Sequence, residues 1–580
     1  MTRRRTPWRG ALVAAAAASC LTACVQVPSA GPVVETTESV QPTPVENPDN
    51  NPPPPQPGMT PTEIVSGFFE AMTATPLQTS TAQLFLTSTG RSLWKPQQSV
   101  VAYGSLGPPR GRTTVQVRLR GADRVGAGGQ WLGSLTPSAS RISFPMRREN
   151  GEWRIAAAPN ALLVPRVFYD QTFQDASLYF FDPSTRILVP EVVHMPQGQQ
   201  LTTALMQALV LGPGPSLAGV ARTFIPSGLT VNPVVVTKGV ADVTLQDSDP
   251  GPPNSRTTRL MLTQFAGTLG QDPSVRTFTL NIGGRQVTDA SGSSTFRVDS
   301  PDFAKYDPSV PKGSSQLYAL RRGRLVSGRP THLTPVTGPF GTADHGIGAF
   351  AVSLEDSQVA GTTPTALLVG PVRGTARPTP VLSGTGLLRP AWDFAGRLWE
   401  VENTRSEGAV VVYVAHGRSH EVHVPGVTGQ DVRLFLVSRD ASRLVAVVHG
   451  AARDRLVVSR LRYDVTSRHV SGTRARGLRW SAGTSTRIRD IGWWTSPTRI
   501  AVLDQVSDAQ AEVRTLAVDG STSPVETPPI IIPGRASSLV TSPTEQTPFA
   551  VQPGVLFNLA QADTNSLQPV PGLHYFTYAG

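Results

Sequence analysis

Cysteine is almost missing from this chain: Cys20 and Cys24 are the two thiols in 580 residues. That scarcity excludes a disulfide-stapled fold and any multi-thiolate metal centre. Lysine is nearly as rare, confined to Lys95, Lys238, Lys305 and Lys312, so arginine supplies 48 of the 52 basic residues. Charged residues make up only 16%. Also missing are a G-x-S-x-G elbow, a G-x-x-x-x-G-K-[ST] phosphate loop, a complete G-x-G-x-x-G and an H-E-x-x-H pair. Serine-hydrolase, nucleotide and zincin chemistries therefore have no local support, and no cofactor or metal is expected. What abounds is glycine and proline, 53 of each, a balance that favours turn-rich β architecture over helical bundles. At roughly 150 residues per domain the length predicts three or four folding units.

The N-terminus reads as an address. Arg3, Arg4, Arg5 and Arg9 precede a short Ala-rich apolar run over 11–19. Nine apolar residues cannot cross a layer that needs about 20, so head plus run predicts a secretory signal over 1–23. Leu21-Thr22-Ala23-Cys24 then resembles the bacterial lipobox. That resemblance implies diacylglyceryl attachment to the Cys24 thiol and cleavage between Ala23 and Cys24. Cys20 is a rival acceptor, but Ala17 is a poorer −3 residue than Leu21. The expected location is the extracytoplasmic face of the cytoplasmic membrane, which argues against nucleic acid as a partner.

Residues 24–58 carry eight prolines between Pro42 and Pro57, four acids, no lysine or arginine and no aromatic residue. Such a segment cannot bury a core and reads as an acidic tether. Loss of the leader's four arginines takes the net charge from +11 to +7, and leaving out the tether acids returns +11 for the folded body. A basic body on an acidic leash fits attraction to anionic cell-wall polymers or lipid heads.

Over 59–175, Thr60-Pro61-Thr62-Glu63 reads as a capping box with proline at the first helical position. Ile64, Val65, Phe68, Phe69 and Met72 follow at helical spacing. Strands are expected over 99–103, 113–119, 141–146 and 153–157, with a hairpin turn at Asn150-Gly151. A helix followed by strands looks like an NTF2-like α+β cone. Over 176–300 the order is strand, helix, two strands, helix, strand, with helices at 201–211 and 258–269. That order predicts an α/β sandwich. From 313 to 580 short Val, Leu and Ile strands alternate with Gly, Ser and Pro turns. A unit recurs at Val352, Trp392, Val437, Trp494 and Val540, with periods suited to β-propeller blades. Five units are visible, and five to seven blades are expected.

Tyr179 to Pro190, Ala208-Leu209 with Gly212-Pro213, Phe224-Ile225-Pro226-Ser227-Gly228 and Gly239-Val240-Ala241-Asp242-Val243 resemble the GerMN domain of sporulation and germination proteins. With the lipobox before it and the propeller after it, the layout resembles the actinobacterial lipoprotein LpqB family. The resemblance implies a non-enzymatic envelope lipoprotein. It also implies a partner, the extracytoplasmic sensor part of the histidine kinase MtrB, with consequences for envelope homeostasis and cell division.

Three polar features remain as candidate sites. His416, His420, Glu421 and His423 fall within eight residues, but strand alternation turns His420 and His423 to opposite faces and reads as an exposed edge. Asp356, Asp393 and Asp440 read as equivalent turn residues, one per blade, not as a catalytic pair. Arg321, Arg322 and Arg324 read as a solvated strand face. The alternative function is an envelope hydrolase or glycan-binding protein using the propeller channel. The aromatic stripe of the cone reads first as core; a third functional reading makes the cone a small-ligand sensor if Phe68 and Phe69 leave it hollow.

Overall fold

The computed structural model describes residues 50–246, 254–404, 406–480, 486–522, 528–544, 546–561 and 567–580. The leader, the lipobox with Cys24, and most of the expected tether lie outside these residues.

Thr60 starts the first helix, α1 (Pro61–Ala71). Its hydroxyl accepts the Glu63 N–H while the Glu63 carboxylate accepts the Thr60 N–H. Ile64, Val65, Phe68 and Phe69 bury one stripe of α1 against two four-stranded sheets. One sheet holds Ser105–Leu106, Thr114–Arg120, Arg141–Glu149 and Glu152–Ile155. Its Asn150-Gly151 turn has φ of 55° and 83°, the left-handed pair that a two-residue hairpin requires. The interior is filled. Phe68 meets Trp94 at 5.3 Å and Phe144 at 6.0 Å, and Phe69 meets Tyr103 at 5.9 Å. These ring contacts agree with the core reading of the aromatic stripe and not with the hollow-cone alternative. Order also begins earlier than Thr60. Asn50 exchanges two backbone hydrogen bonds with Thr75, and Gly58 donates to Glu152.

Strand Phe173–Phe181 pairs along its whole length with Leu188–Pro196, forming a separate two-stranded hairpin. Asp182 makes the turn, since its carboxylate accepts the N–H groups of Ser184, Arg186 and Ile187. Helices α2 (Leu201–Val210) and α3 (Ser255–Leu269) follow, and Val240–Gln246 lies parallel to Thr277–Ile282 through the α3 crossover. Hairpin residues Leu178, Phe180, Val189 and Val193 share one core with Leu205, Leu209, Met261, Phe265 and Phe278.

The C-terminal region forms six antiparallel blades among the described residues, five of four strands and blade 4 of five. The recurring sequence unit marks the ends of five innermost strands, Ala349–Val352, Ala391–Trp392, Val432–Val437, Ile488–Trp494 and Ser538–Val540. These open blades 2 to 6. Blade 1 is split: its innermost strand, Leu573–Thr577, pairs with Leu317–Arg321 from the other end of the region. The second strand of blade 4, Arg443–Val448, is buried throughout. Leu444, Ala446 and Val448 face the core shared with blade 3, whereas Val445 and Val447 face that shared with blade 5. A strand packed on both faces shows no polar alternation, which is why this region reads as near-continuous apolar runs. All three regions belong to one compact unit, Pro48–Gly580.

Candidate functional site

The site residues Leu21, Thr22, Ala23 and Cys24 lie outside the described residues. The histidine cluster occupies a blade 3 hairpin. His416 takes the positive φ of its turn, and exposed His420 stacks on Tyr413 with centroids 4.9 Å apart. No group of three His, Cys, Asp or Glu side chains is placed to hold a metal ion among the described residues. Arg321, Arg322 and Arg324 stand exposed around the first turn of blade 1.

The three corner aspartates are not equivalent, which corrects the sequence reading. Asp393 accepts the N–H groups of Ala395 and Arg397. The side chain in that turn position is Ser353 in blade 2 and Ser438 in blade 4, each accepting two N–H groups in the same way. Asp356 instead sits where φ is positive, alongside Gly396 and Ala441. Its carboxylate accepts from Tyr318 and pairs with Arg373. A turn of this shape needs one short acceptor, here Ser or Asp, and one left-handed residue, here Asp, Gly or Ala.

The propeller channel is crossed by side chains. Arg389 of blade 3 reaches Asp490 of blade 5 at 2.9 Å, and Asp490 also accepts the N–H groups of Ile491 and Leu539. Arg439 of blade 4, 4% exposed, donates to the carbonyl of Ala579 just beyond the innermost strand of blade 1 at 2.8 Å. Beside it, Leu354 and Phe394 pack on Ile187 at the tip of the 173–196 hairpin. One mouth of the ring is therefore stoppered by the hairpin. The carboxylate that reaches across the channel is neutralised by an arginine, an arrangement unlike an acid–base pair.

The hairpin is held by buried charges. Glu191 is contacted by both Arg443 and Arg460. Arg443, with a side chain 1% exposed, also pairs with Asp440 at 3.4 Å and donates to the carbonyl of Pro190. Burial pulls Arg443 down to about 10, helped by Arg460 and opposed by Asp440 and Glu191. It is cationic at neutral pH. Nearby, His194 sits between two carboxylates, Nδ1 3.0 Å from Asp175 and Nε2 3.1 Å from Asp519. Burial alone would lower the imidazole, but the two aspartates outweigh it and raise His194 to about 9. Asp519 is held below its ordinary range, despite burial, by His194 and Ser521. His194 donates its backbone N–H to Gly129 of the N-terminal region. The free edge of Leu188–Pro196 thus meets all three regions, a covered edge in place of an aggregation-prone one.

An open groove of about 540 Å³ lies on blade 2, with Thr337, Thr342, His345, Leu368, Thr375 and Arg377 in its lining. It brings one guanidinium, one imidazole and three hydroxyls together without a carboxylate, so it offers polar recognition but no acid–base pair.

Glu400 is wholly buried in blade 3. One oxygen accepts the N–H groups of Leu388 and Val401; the other has no partner among the described residues. Burial, and to a smaller extent Glu402, raises it well above the ordinary 4.5. A raised acid costs stability once the unfolded carboxyl ionises. Glu400→Gln is therefore expected to match wild type at about pH 4 and to become more stable as pH rises past 4.5. The gain should reach about 1 kcal/mol or more at neutral pH, measured as thermal unfolding across pH. A difference that does not change with pH would contradict the buried neutral acid.

The sequence reading singled out none of Glu191, His194, Arg443 and Asp519. A signal was present in the apolar stretch from Ile187 to Met195, interrupted by Glu191 and His194, because charges inside an otherwise buried strand need partners.

Residues 54–170 match the family model for the N-terminal domain of lipoprotein LpqB, and residues 323–546 the model for the lipoprotein LpqB beta-propeller domain. Residues 177–288 match the Germane model, described as sporulation and spore germination. Lipoprotein LpqB of Thermobifida fusca is 26% identical over 530 residues, covering 80% of this chain and 82% of that protein. Lipoprotein LpqB of Cutibacterium acnes is 26% identical, covering 88% of each chain. Among solved structures, TolB from Acinetobacter baumannii aligns with 54% of this chain and 85% of its own at 10% identity and a TM-score of 0.32. The first GerMN domain of the sporulation protein GerM from Bacillus subtilis covers 21% of this chain and 96% of its own, at 20% identity and a TM-score of 0.17. No helix among the described residues is long and apolar enough to cross a membrane.

Proposed function

Because this chain belongs to the lipoprotein LpqB family, we propose that it is a membrane-anchored accessory lipoprotein without catalytic activity of its own. Acylated Cys24 holds it on the extracytoplasmic face, and its folded body binds the sensor domain of a two-component histidine kinase of the MtrB kind. Through that contact it acts in envelope homeostasis and cell division. The observation that carries the non-enzymatic part is the stoppered propeller. Where a propeller hydrolase would present a mouth lined with acids, Ile187, Leu354 and Phe394 pack together. Arg439 crosses behind them. The lipid anchor confines two proteins to one surface and raises their effective concentration. The body then biases the sensor by binding one of its conformations more tightly than the other.

In-cell crosslinking of wild type and Cys24→Ala tests this reading. Wild type is expected to recover the sensor kinase, and the acyl-free variant to recover at least about tenfold less, at the low end for a lost tether. Equal recovery by the two forms would defeat the tether, and recovery of no kinase by either would defeat the partner.

A further inference from the structure

The exposed face of the N-terminal sheet carries arginines that have no acidic partner. Along Thr114–Arg120 the residues alternate strictly, with Val115, Val117 and Leu119 buried and Gln116, Arg118 and Arg120 exposed. The register sets Arg118 directly opposite Arg141 and, further along the same face, Arg147 opposite Arg154. Arg110 joins this face opposite Gln116. Like charges placed directly across a strand pair destabilise a sheet, and here two such pairs stand on one face. Among the described residues, Arg110, Arg118, Arg120, Arg141 and Arg147 form no ion pair. Two acids share this face at its far end, and both are engaged by backbone: Glu149 accepts the Ser88 N–H and Glu152 the Gly58 N–H. From Arg120 to Arg147 the array spans about 25 Å along the strands and about 10 Å across them.

We propose that this arginine face binds the anionic phospholipid surface of the membrane. The geometry favours a lipid surface over a wall polymer. The charges are spread in two dimensions over a sheet face, which matches headgroups lying in a plane, whereas a linear polyanion is matched by a groove or a single stripe. Position favours it too. The inference rests on the anchor reading above for its place in the cell, and there this region is the folded part that follows an acylated Cys24 most closely along the chain. Contact with headgroups would also remove the cost of the Arg118–Arg141 and Arg147–Arg154 pairs, since anions would screen each guanidinium from its neighbour.

The test uses acyl-free protein, so its outcome is independent of whether Cys24 is modified. Residues 24–580 with Cys24→Ser keep every described element. They are sedimented with phosphatidylcholine vesicles containing 30% phosphatidylglycerol (on the order of cellular anionic content), with pure phosphatidylcholine vesicles, and with soluble poly(glycerol phosphate). Binding is expected for the anionic vesicles alone and should weaken with salt. An arginine in full contact with an anionic surface is worth about fivefold in partition. Replacing Arg118, Arg120, Arg141 and Arg147 together by Gln should therefore lower partition at least about tenfold, while thermal unfolding stays as in wild type or rises as the like-charge pairs are removed. Replacing Arg321, Arg322, Arg324 and Arg329 by Gln removes the same charge from blade 1 and should change it less than about threefold. Equal losses in the two variants would reduce the effect to net charge and overturn the proposal. So would preference for poly(glycerol phosphate), or no binding to anionic vesicles at about 0.1 M salt.

Discussion

Arg443→Ala is expected to destabilise the folded body by about 3–5 kcal/mol, the range for removing one partner from a buried ion cluster. The variant takes the buried cation away from the carboxylates of Glu191 and Asp440 and the carbonyl of Pro190, all of which Arg443 contacts from a nearly sealed position. Arg460 still reaches Glu191, so the loss should fall mainly on the seam between the hairpin and blade 4. Urea unfolding with limited proteolysis of the hairpin reads it: cleavage near residues 182–187 should appear in urea at which wild type resists. A cycle with Glu191→Ala separates attraction from desolvation, because the double variant no longer buries a Glu191 left with Arg460 alone and should cost less than the sum of the singles. An unchanged transition in Arg443→Ala would mean that apolar contacts alone hold the seam.

The second large effect is a pH dependence centred on His194. Its folded value of about 9 lies above the ordinary 6.5. The cation's contribution is thus fully present below pH 6.5 and is lost as pH rises through 9. The size is about 3 kcal/mol. The charged groups around the ring are Asp175 on its own hairpin, Asp519 between the third and fourth strands of blade 5, and Arg499, which contacts Asp175 at 3.4 Å. Tyr169 lies 6.3 Å away and is kept neutral by burial. Wild type should lose stability between pH 6.5 and 9, whereas His194→Gln, with no cation to lose, should show a flatter profile and lie below wild type at pH 6. Parallel profiles would show that the imidazole does not carry the charge assigned to it.

These two effects come from a part of the molecule that is only half legible in the sequence. The hairpin itself is legible, since Asp182-Pro183-Ser184 between two apolar runs is a turn with a mechanism. What the hairpin leans on is not. Asp519 lies 325 residues from His194, and Arg443 lies 252 from Glu191. No pattern within either segment names the other. The propeller shows the same division. Five innermost strands announce themselves by repetition, but the sixth is built from segments some 250 residues apart and leaves only half a unit at each end. The misjudged equivalence of Asp356, Asp393 and Asp440 has a related cause. Spacing alone cannot separate a side chain that caps a turn from one that occupies its left-handed corner, because Asp caps the turn in blade 3 and holds the left-handed corner in blade 2.

Local order was decided by the sequence alone. The capping box at Thr60, the Asn150-Gly151 turn, the apolar stripes of the helices and the blade period all depend on residues within a few positions of one another, where backbone sterics and short-range hydrogen bonds set the outcome. The tertiary structure alone decided that the cone is filled, that the propeller closes through Leu573–Thr577, and that buried arginines and one doubly paired histidine bind three regions together. Those features depend on which charges share a low-dielectric interior. Water leaves that interior only when distant parts of the chain meet.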